Sequence, residues 1–413
     1  MASGSIARAA LAEKAGAILD RLCRVIPNRQ TGSAGNRQAT AFFAAEIAAT
    51  GFQVECPEFA CMDWTHGEAE LIVAGESFAA LVSPYSLGCA AHAELCAAST
   101  EEELAAADAE GKILLLRGEL TAEQLMPKNF VFYNPDHHQR IIRTLEAKRP
   151  AAIVAATGRD PEMAGAAYPF PLIEDGDFDI PSVYMTDVEG ERLAVHAGEA
   201  VRLRFAATRI PATGCNVIAR KGLAGATGKI VMWAHIDAKA GTPGALDNGT
   251  GVATLLLLAD LLRDYEGRLD LEIVALNGED YYAASGEMQY LALFGAEMDR
   301  IVLGVNIDGA GYREGGIAYS LYGCPEEMAA AIRRVFATYP DMAEGEQWYQ
   351  SDHTIFVQHG RPALAITSER VMELVASITH TAQDTPELVD TNQVADIALA
   401  LRDLCLHLGD TAG

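Results

Sequence analysis

Lys229-Ile230-Val231-Met232-Trp233-Ala234-His235-Ile236-Asp237 is a short apolar run that ends in an imidazole and a carboxylate. Two later segments repeat its form. Residues 269–276 lead to Glu279-Asp280, and residues 301–307 lead to Asp308 and then Gly309-Ala310-Gly311, a turn signal. A fourth apolar run, 363–366, follows Pro362. Each reads as a strand. Between the first two lie Asn248-Gly249-Thr250-Gly251 and then Leu255, Leu258, Ala259 and Leu262, spaced as the core-facing stripe of a helix. Strand, helix, strand in this order predicts an α/β fold, a mostly parallel mixed sheet sandwiched by helices with right-handed crossovers. Ligands of such sheets collect beyond the carboxyl ends of the strands, which is where these polar residues fall.

The ordered set His235, Asp247, Asp280, Asp308 and His380 has the donor types of a two-metal centre. Two divalent ions carry four positive charges, which three carboxylates and a bridging hydroxide balance. If one carboxylate bridges, each ion takes a histidine and a further carboxylate, and oxygen and nitrogen donors satisfy two ions about 3.5 to 4 Å apart. Such a set suits zinc, cobalt or manganese. Asp237 is placed to accept the second N–H of His235 and fix its tautomer. Glu279, beside Asp280, projects differently on leaving the strand and is the natural general base: it can take a proton from a water whose pKa a metal lowers from about 16 to roughly 7.

With His235-Ile236-Asp237, Pro243-Gly244-Ala245-Leu246-Asp247-Asn248-Gly249-Thr250-Gly251, Glu279-Asp280, Asp308, Ser351-Asp352-His353 and His380-Thr381-Ala382-Gln383-Asp384-Thr385, residues 206–395 resemble the co-catalytic zinc aminopeptidases, the family of aminopeptidase Y and the secreted bacterial leucine aminopeptidases. Arg29 to Asn36 resembles that family's entry segment. The resemblance implies a zinc exopeptidase fold and two zinc ions per chain. Asp247 would bridge, His235 and Asp308 would complete one ion, Asp280 and His380 the other, and Glu279 would be the base. It further implies hydrolysis of amino-terminal residues of peptides, with a carboxypeptidase, dipeptidase or amidohydrolase as the alternative and a non-catalytic scaffold as the remote one. Two positions depart from the family: Asp280 stands where a second Glu is common, and the usual Gly-Ser pair is Ser285-Gly286. Three short runs, 111–118, 151–156 and 180–185, resemble the protease-associated domain that interrupts some members. The expected division is 1–66 and 207–413 for the catalytic domain, with a β-rich, α+β insert at 67–206.

Other features are read more plainly. Ser351-Asp352-His353 lacks a Gly-x-Ser-x-Gly elbow and reads as pocket wall, so these residues are substrate-binding candidates. Trp348 and Tyr349 read as packing. Asn248-Gly249-Thr250 matches a glycosylation sequon by chance, and His137-His138, beside Pro135 and Asp136, reads as a surface loop. Asn36 is expected to cap a helix through Ala39, Phe43 and Ile47. Leu11, Ala15, Ile18 and Leu22 repeat as an amphipathic helix that charged residues distinguish from a signal segment, and no apolar stretch is long enough to span a bilayer. The eight cysteines show no Cys-x-x-Cys pair, which favours reduced thiols and a cytoplasmic location. A net charge of -26 argues against nucleic-acid binding; homo-oligomerisation is left open. A carboxypeptidase needs a cation for the substrate's terminal carboxylate, and the sequence places none of Lys239, Arg313, Arg361 or Arg370 in the pocket, which favours an amino-terminal substrate.

Overall fold

The computed structural model describes residues 2–26, 28–159, 167–222 and 225–411. Eight strands form the sheet that carries the motifs: β1 (Gln53–Glu55), β2 (Val217–Lys221), β3 (Lys229–His235), β4 (Asp270–Leu276), β5 (Ile301–Ile307), β6 (Ile317–Tyr322), β7 (Met342–Glu344) and β8 (Ala363–Ser368). Their order is β1-β2-β4-β3-β5-β8-β6-β7. The central β4, β3, β5 and β8 are parallel, while β2 and β6 flank them antiparallel. From β3 the chain goes first to β4 on one side and later to β5 on the other. His235, the last residue of β3, therefore sits where the strand order reverses, the usual position of a ligand crevice in such sheets.

Side chains alternate across the sheet. Ile230, Met232 and Ala234 of β3 join Leu271, Ile273 and Ala275 of β4 in one core, and Val231, Trp233, Val274 and Leu276 form another on the opposite face. Burial on both sides explains why these strands are continuous apolar runs. The first core is covered by helices Ala2–Asp20, Ala34–Ala48, Thr250–Leu261 and Thr391–Thr411. The second is covered by Ser285–Phe294 and His353–Gln358, with Trp233 stacked on Phe356 at 3.9 Å between ring centroids. The helix after Asp247 is buried all round from Thr250 to Ala259, beyond the expected stripe, because it lies between the sheet and the outer terminal helices.

A ribbon pairing Glu58–His66 with Ala207–Cys215 carries the chain to and from a second sheet of eight strands. At the centre of that sheet Cys89–Ala98, Ile113–Leu116, Ala152–Thr157 and Ser182–Thr186 run parallel. Helices Glu101–Ala106 and Asp136–Lys148 lie in the connections between them, and Asp187–Ala194 follows.

Two local readings change. Ser33, not Asn36, caps the helix Ala34–Ala48: its side chain accepts from the Asn36 N–H, and Asn36 turns inward. His137 and His138 are not in a loop but in the first turn of Asp136–Lys148, with His138 buried and both imidazoles beside Glu123 Oε1, at 2.7 and 3.1 Å.

Candidate metal centre

The loop that presents Asp247 is built from small residues for steric reasons. Gly244 has φ +61, and a Cβ there would lie 2.6 Å from the Asp247 carbonyl oxygen and 2.7 Å from Arg29 Nη2. A Cβ at Gly251 would meet the Ile307 carbonyl oxygen at 2.6 Å, so only glycine lets the following helix start so close to β5. Asn248 ties the loop to that strand by donating from Nδ2 to the Ile307 carbonyl at 2.7 Å, while its Oδ1 accepts from Gly251 N at 3.1 Å. Asp384 accepts from the backbone N–H groups of Leu246 and Asp247 at 2.7 and 3.0 Å. Burial, with Asp247 nearby, pushes the Asp384 carboxyl up to about 7. From the other side Arg29, buried, donates to the carbonyls of Leu22, Ile236, Pro243 and Gly244. The entry segment thus fixes the exit of β3 and the Asp247 loop together.

The five ligand candidates meet in two groups that share Asp247. Its Oδ1 lies 3.1 Å from His235 Nε2, and its Oδ2 lies 3.1 Å from His380 Nε2. Asp308 Oδ1 is 3.6 Å from His235 Nε2, and Asp280 Oδ1 is 3.1 Å from His380 Nε2. Within each group the donor atoms all lie within 4.8 Å of one another. Neither ring nitrogen of His235 has a hydrogen-bond partner although the residue is 1 % exposed. A buried, unpartnered imidazole nitrogen aimed at two carboxylates fits a metal ligand and is costly otherwise. Two histidines and three carboxylates suit zinc, so the residues fit the ions that the sequence implies. His380 has φ +59, a strained conformation for a residue with a Cβ, held here where its ring meets two carboxylates.

Glu279 is set apart by exposure and distance. Its side chain is 25 % exposed against 2 % for Asp280, and its Oε2 is 4.0 Å from His235 Nε2. Burial beside Asp280, Asp352 and Asp308 holds its carboxyl well above the ordinary range, despite nearby His235. Asp237 stands 3.6 Å from His235 Nδ1, beyond a hydrogen bond, and accepts instead from Thr31 Oγ1 at 2.9 Å, Gly278 N at 2.9 Å and Asp280 N at 3.1 Å. It holds the Glu279-Asp280 turn more directly than it holds the imidazole.

Ser351, Asp352 and His353 are brought beside the centre without forming a triad. Ser351 Oγ donates to Asp308 Oδ2 at 2.6 Å and accepts from Asn306 Nδ2 at 2.7 Å. Asp352 is buried, and burial together with Glu287 pushes its carboxyl well up. His353 turns away, its Nε2 2.7 Å from the Trp348 carbonyl, and burial lowers its pKa.

Of the four candidate cations that the sequence left unplaced, one lies beside the centre. Lys239 Nζ is 3.9 Å from Asp280 Oδ1 and 2.8 Å from Glu174 Oε1, which comes from the region of the second sheet. The other three lie elsewhere: Arg313 donates to the Glu387 carbonyl, Arg361 to the Ile301 carbonyl, and Arg370 pairs with Glu314 and Glu373. Lys239 lies in the turn that follows Asp237, so adjacency to a ligand strand was its available signal. Asp384 lies within the His380–Thr385 motif, but nothing in its spacing shows that it accepts from the Asp247 loop. The Glu123, His137 and His138 group is a poor metal site: Met126 N donates to His138 Nδ1 at 3.1 Å, which leaves the proton of a neutral ring on Nε2, the atom facing Glu123.

A parallel sheet presenting two donor groups around one shared carboxylate, with a further unshared glutamate, supports the chemistry of a two-metal hydrolase. Residues 216–405 match the model of peptidase family M28. No curated protein sequence matches the chain. Among solved structures, it is similar to an aminopeptidase from Aneurinibacillus sp. strain AM-1, with 21 % identity, a TM-score of 0.73, and 96 % of this chain and 93 % of that one covered. A zinc aminopeptidase from Bacillus subtilis gives 19 %, 0.73, and coverage of 97 % and 96 %. An M28 peptidase precursor from Shewanella amazonensis gives 17 %, 0.72, and coverage of 98 % and 97 %.

Proposed function

We propose that the protein is a zinc-dependent exopeptidase, an aminopeptidase that hydrolyses amino-terminal residues of peptides. The observation that carries this reading is the Asp247 carboxylate, one oxygen at His235 and the other at His380. His235, Asp247 and Asp308 would hold one ion; Asp247, Asp280 and His380 would hold the second. Bound zinc supplies Lewis acidity toward the substrate carbonyl and acidifies water. Glu279, partly exposed and 4.0 Å from His235 Nε2, takes the proton of the attacking water and passes it to the leaving amine. Ser351 keeps Asp308 oriented by its hydrogen bond. The similarity to structures described as aminopeptidases supports the direction of attack.

The 67–206 segment is proposed as a protease-associated-like insert, supported by the ribbon that carries the chain to and from its sheet. It narrows access, so that chain ends enter and internal bonds of folded proteins do not. The eight free cysteines agree with a reducing, cytoplasmic environment, and no helix among the described residues is long and apolar enough to cross a membrane.

The placement of Lys239 gives the carboxylate-reading alternative, a dipeptidase or carboxypeptidase, a specific support that the sequence lacked. A peptide library assayed with and without zinc, together with acetylated and amidated dipeptides, separates the readings. The aminopeptidase reading expects cleavage of free-amino di- and tripeptides and aminoacyl anilides, and loss of activity on amino-terminal acetylation. Equal cleavage of acetylated and free substrates refutes it. A strict requirement for a free terminal carboxylate transfers the function to the alternative.

A further inference from the structure

The second donor group has a competitor built beside it. Asp280 Oδ1 faces the metal position, 3.1 Å from His380 Nε2, and the same oxygen is 3.9 Å from the Lys239 ammonium. The lysine main chain is fixed there too, since Lys239 N donates to Asp280 Oδ2 at 3.1 Å. Only side-chain torsions therefore decide whether the ammonium closes on the metal-facing oxygen. What draws the ammonium away is Glu174 Oε1 at 2.8 Å. Glu174 cannot follow the lysine inward: its side chain is 7 % exposed, and its other oxygen accepts from Gln124 Nε2 at 3.1 Å. The adjacent Asp175 accepts from Lys128 N at 2.8 Å, which fixes the same loop.

We infer that Glu174 is a positioning residue that withholds Lys239 from the metal-facing oxygen of Asp280, so that affinity at the second metal position depends on a loop of the inserted region. The inference rests on the two-metal reading of the centre. An ammonium and a divalent cation compete for one carboxylate oxygen, and supporting partners of metal ligands commonly change affinity by about 10- to 100-fold.

The test is a zinc titration of the full chain, by calorimetry and by competition with a chromophoric chelator, independent of turnover. Glu174→Gln is expected to weaken the second zinc by at least about tenfold and to leave the first unchanged. Lys239→Met is expected to bind the second zinc more tightly than wild type, and in that background Glu174→Gln should have no further effect. Wild-type affinity in Glu174→Gln overturns the inference. So does an equal loss with and without Lys239, which would make Glu174 a direct charge effect. If Glu174→Gln does not fold, Lys239→Met decides alone, and unchanged or weaker second-site binding overturns the inference. Saturation of the wild type at one zinc overturns the two-metal reading, and the inference with it.

Discussion

Glu279 and Asp280 are adjacent, yet the fold gives them opposite surroundings. Asp280 is pinned by the backbone N–H of Lys239 and turned toward His380, whereas Glu279 keeps a quarter of its side chain exposed and lies 4.0 Å from His235. The division predicts two distinct phenotypes. Glu279→Gln removes a proton acceptor but little shape, so kcat should fall at least about a hundredfold while zinc content, measured by elemental analysis, stays at the wild-type value. Loss of zinc in that variant would make Glu279 a ligand. Asp280→Ala should instead lose mainly one ion. Asp384 has a third kind of role, since it touches neither histidine and acts by accepting from the backbone on which Asp247 is mounted. Asp384→Ala should weaken zinc binding about 10- to 100-fold, read by chelator competition; unchanged affinity would show that the loop holds its shape without that carboxylate.

At the level of elements, the residues that the sequence made legible are those whose pattern is local. Apolar runs ending in polar residues locate β3, β4, β5 and β8, and motif order alone gathers His235, Asp247, Asp280, Asp308 and His380 at one sheet edge. Contacts between distant segments were not legible. Arg29 reaches carbonyls more than two hundred positions away, Glu174 reaches Lys239 from a loop of the inserted region, and Ser33 rather than Asn36 caps its helix because capping depends on backbone angles as well as residue type. Tyr281 and Tyr282, next to the acidic pair, pack into the core of the second sheet, so the Glu279-Asp280 turn is buttressed by the insert. A similar long-range tie joins the strands themselves. Glu272 of β4, buried, meets Arg220 of β2 at 2.6 Å and Lys229 of β3 at 3.2 Å, and it accepts from Tyr290 of the covering helix. Burial pushes its pKa up, but Lys229, Tyr290 and Arg220 outweigh that and leave it lowered. A carboxylate lowered in the folded state stabilises above its unfolded pKa, about 4.3, and loses that contribution as pH falls through the folded value. Glu272→Gln should therefore be less stable at neutral pH, by about 3 to 5 kcal/mol if the pair is simply broken. The gap from wild type should narrow as pH falls below the unfolded value, about 4.3. Urea midpoints across pH 3 to 7 check this, and a gap independent of pH would reject the ionic account.

Across the whole molecule the net charge is -26, and its sharpest consequence lies at the centre, where carboxylates crowd. Asp247, Asp280, Asp308, Glu279, Asp237 and Asp352 converge there, and several of these carboxylates stand in one another's fields; burial, with Asp280, Asp352 and Asp308 nearby, pushes Glu279 well above the ordinary range, and burial, with Glu287, Asp308 and Asp237 nearby, does the same to Asp352. Without cations the folded state must either protonate some of these groups or tolerate their repulsion, and neither burden exists in an extended chain. Divalent ions relieve it only in the folded geometry, because the ligands come from β3, the Asp247 loop, the turns after β4 and β5, and the segment after the helix Val371–Ser377. Zinc binding is thus linked to folding. At a free concentration a hundred times Kd, each site adds about 2.7 kcal/mol, and two sites add twice that if they act independently. The melting temperature should rise on zinc addition until two ions per chain are bound, and it should fall on chelation in step with loss of hydrolysis. Magnesium, which prefers oxygen donors and holds its waters, should restore little of either. A melting temperature indifferent to zinc and to chelator would mean that the clustered carboxylates are already neutralised by protons, and that the donor set does not hold metal in the folded protein.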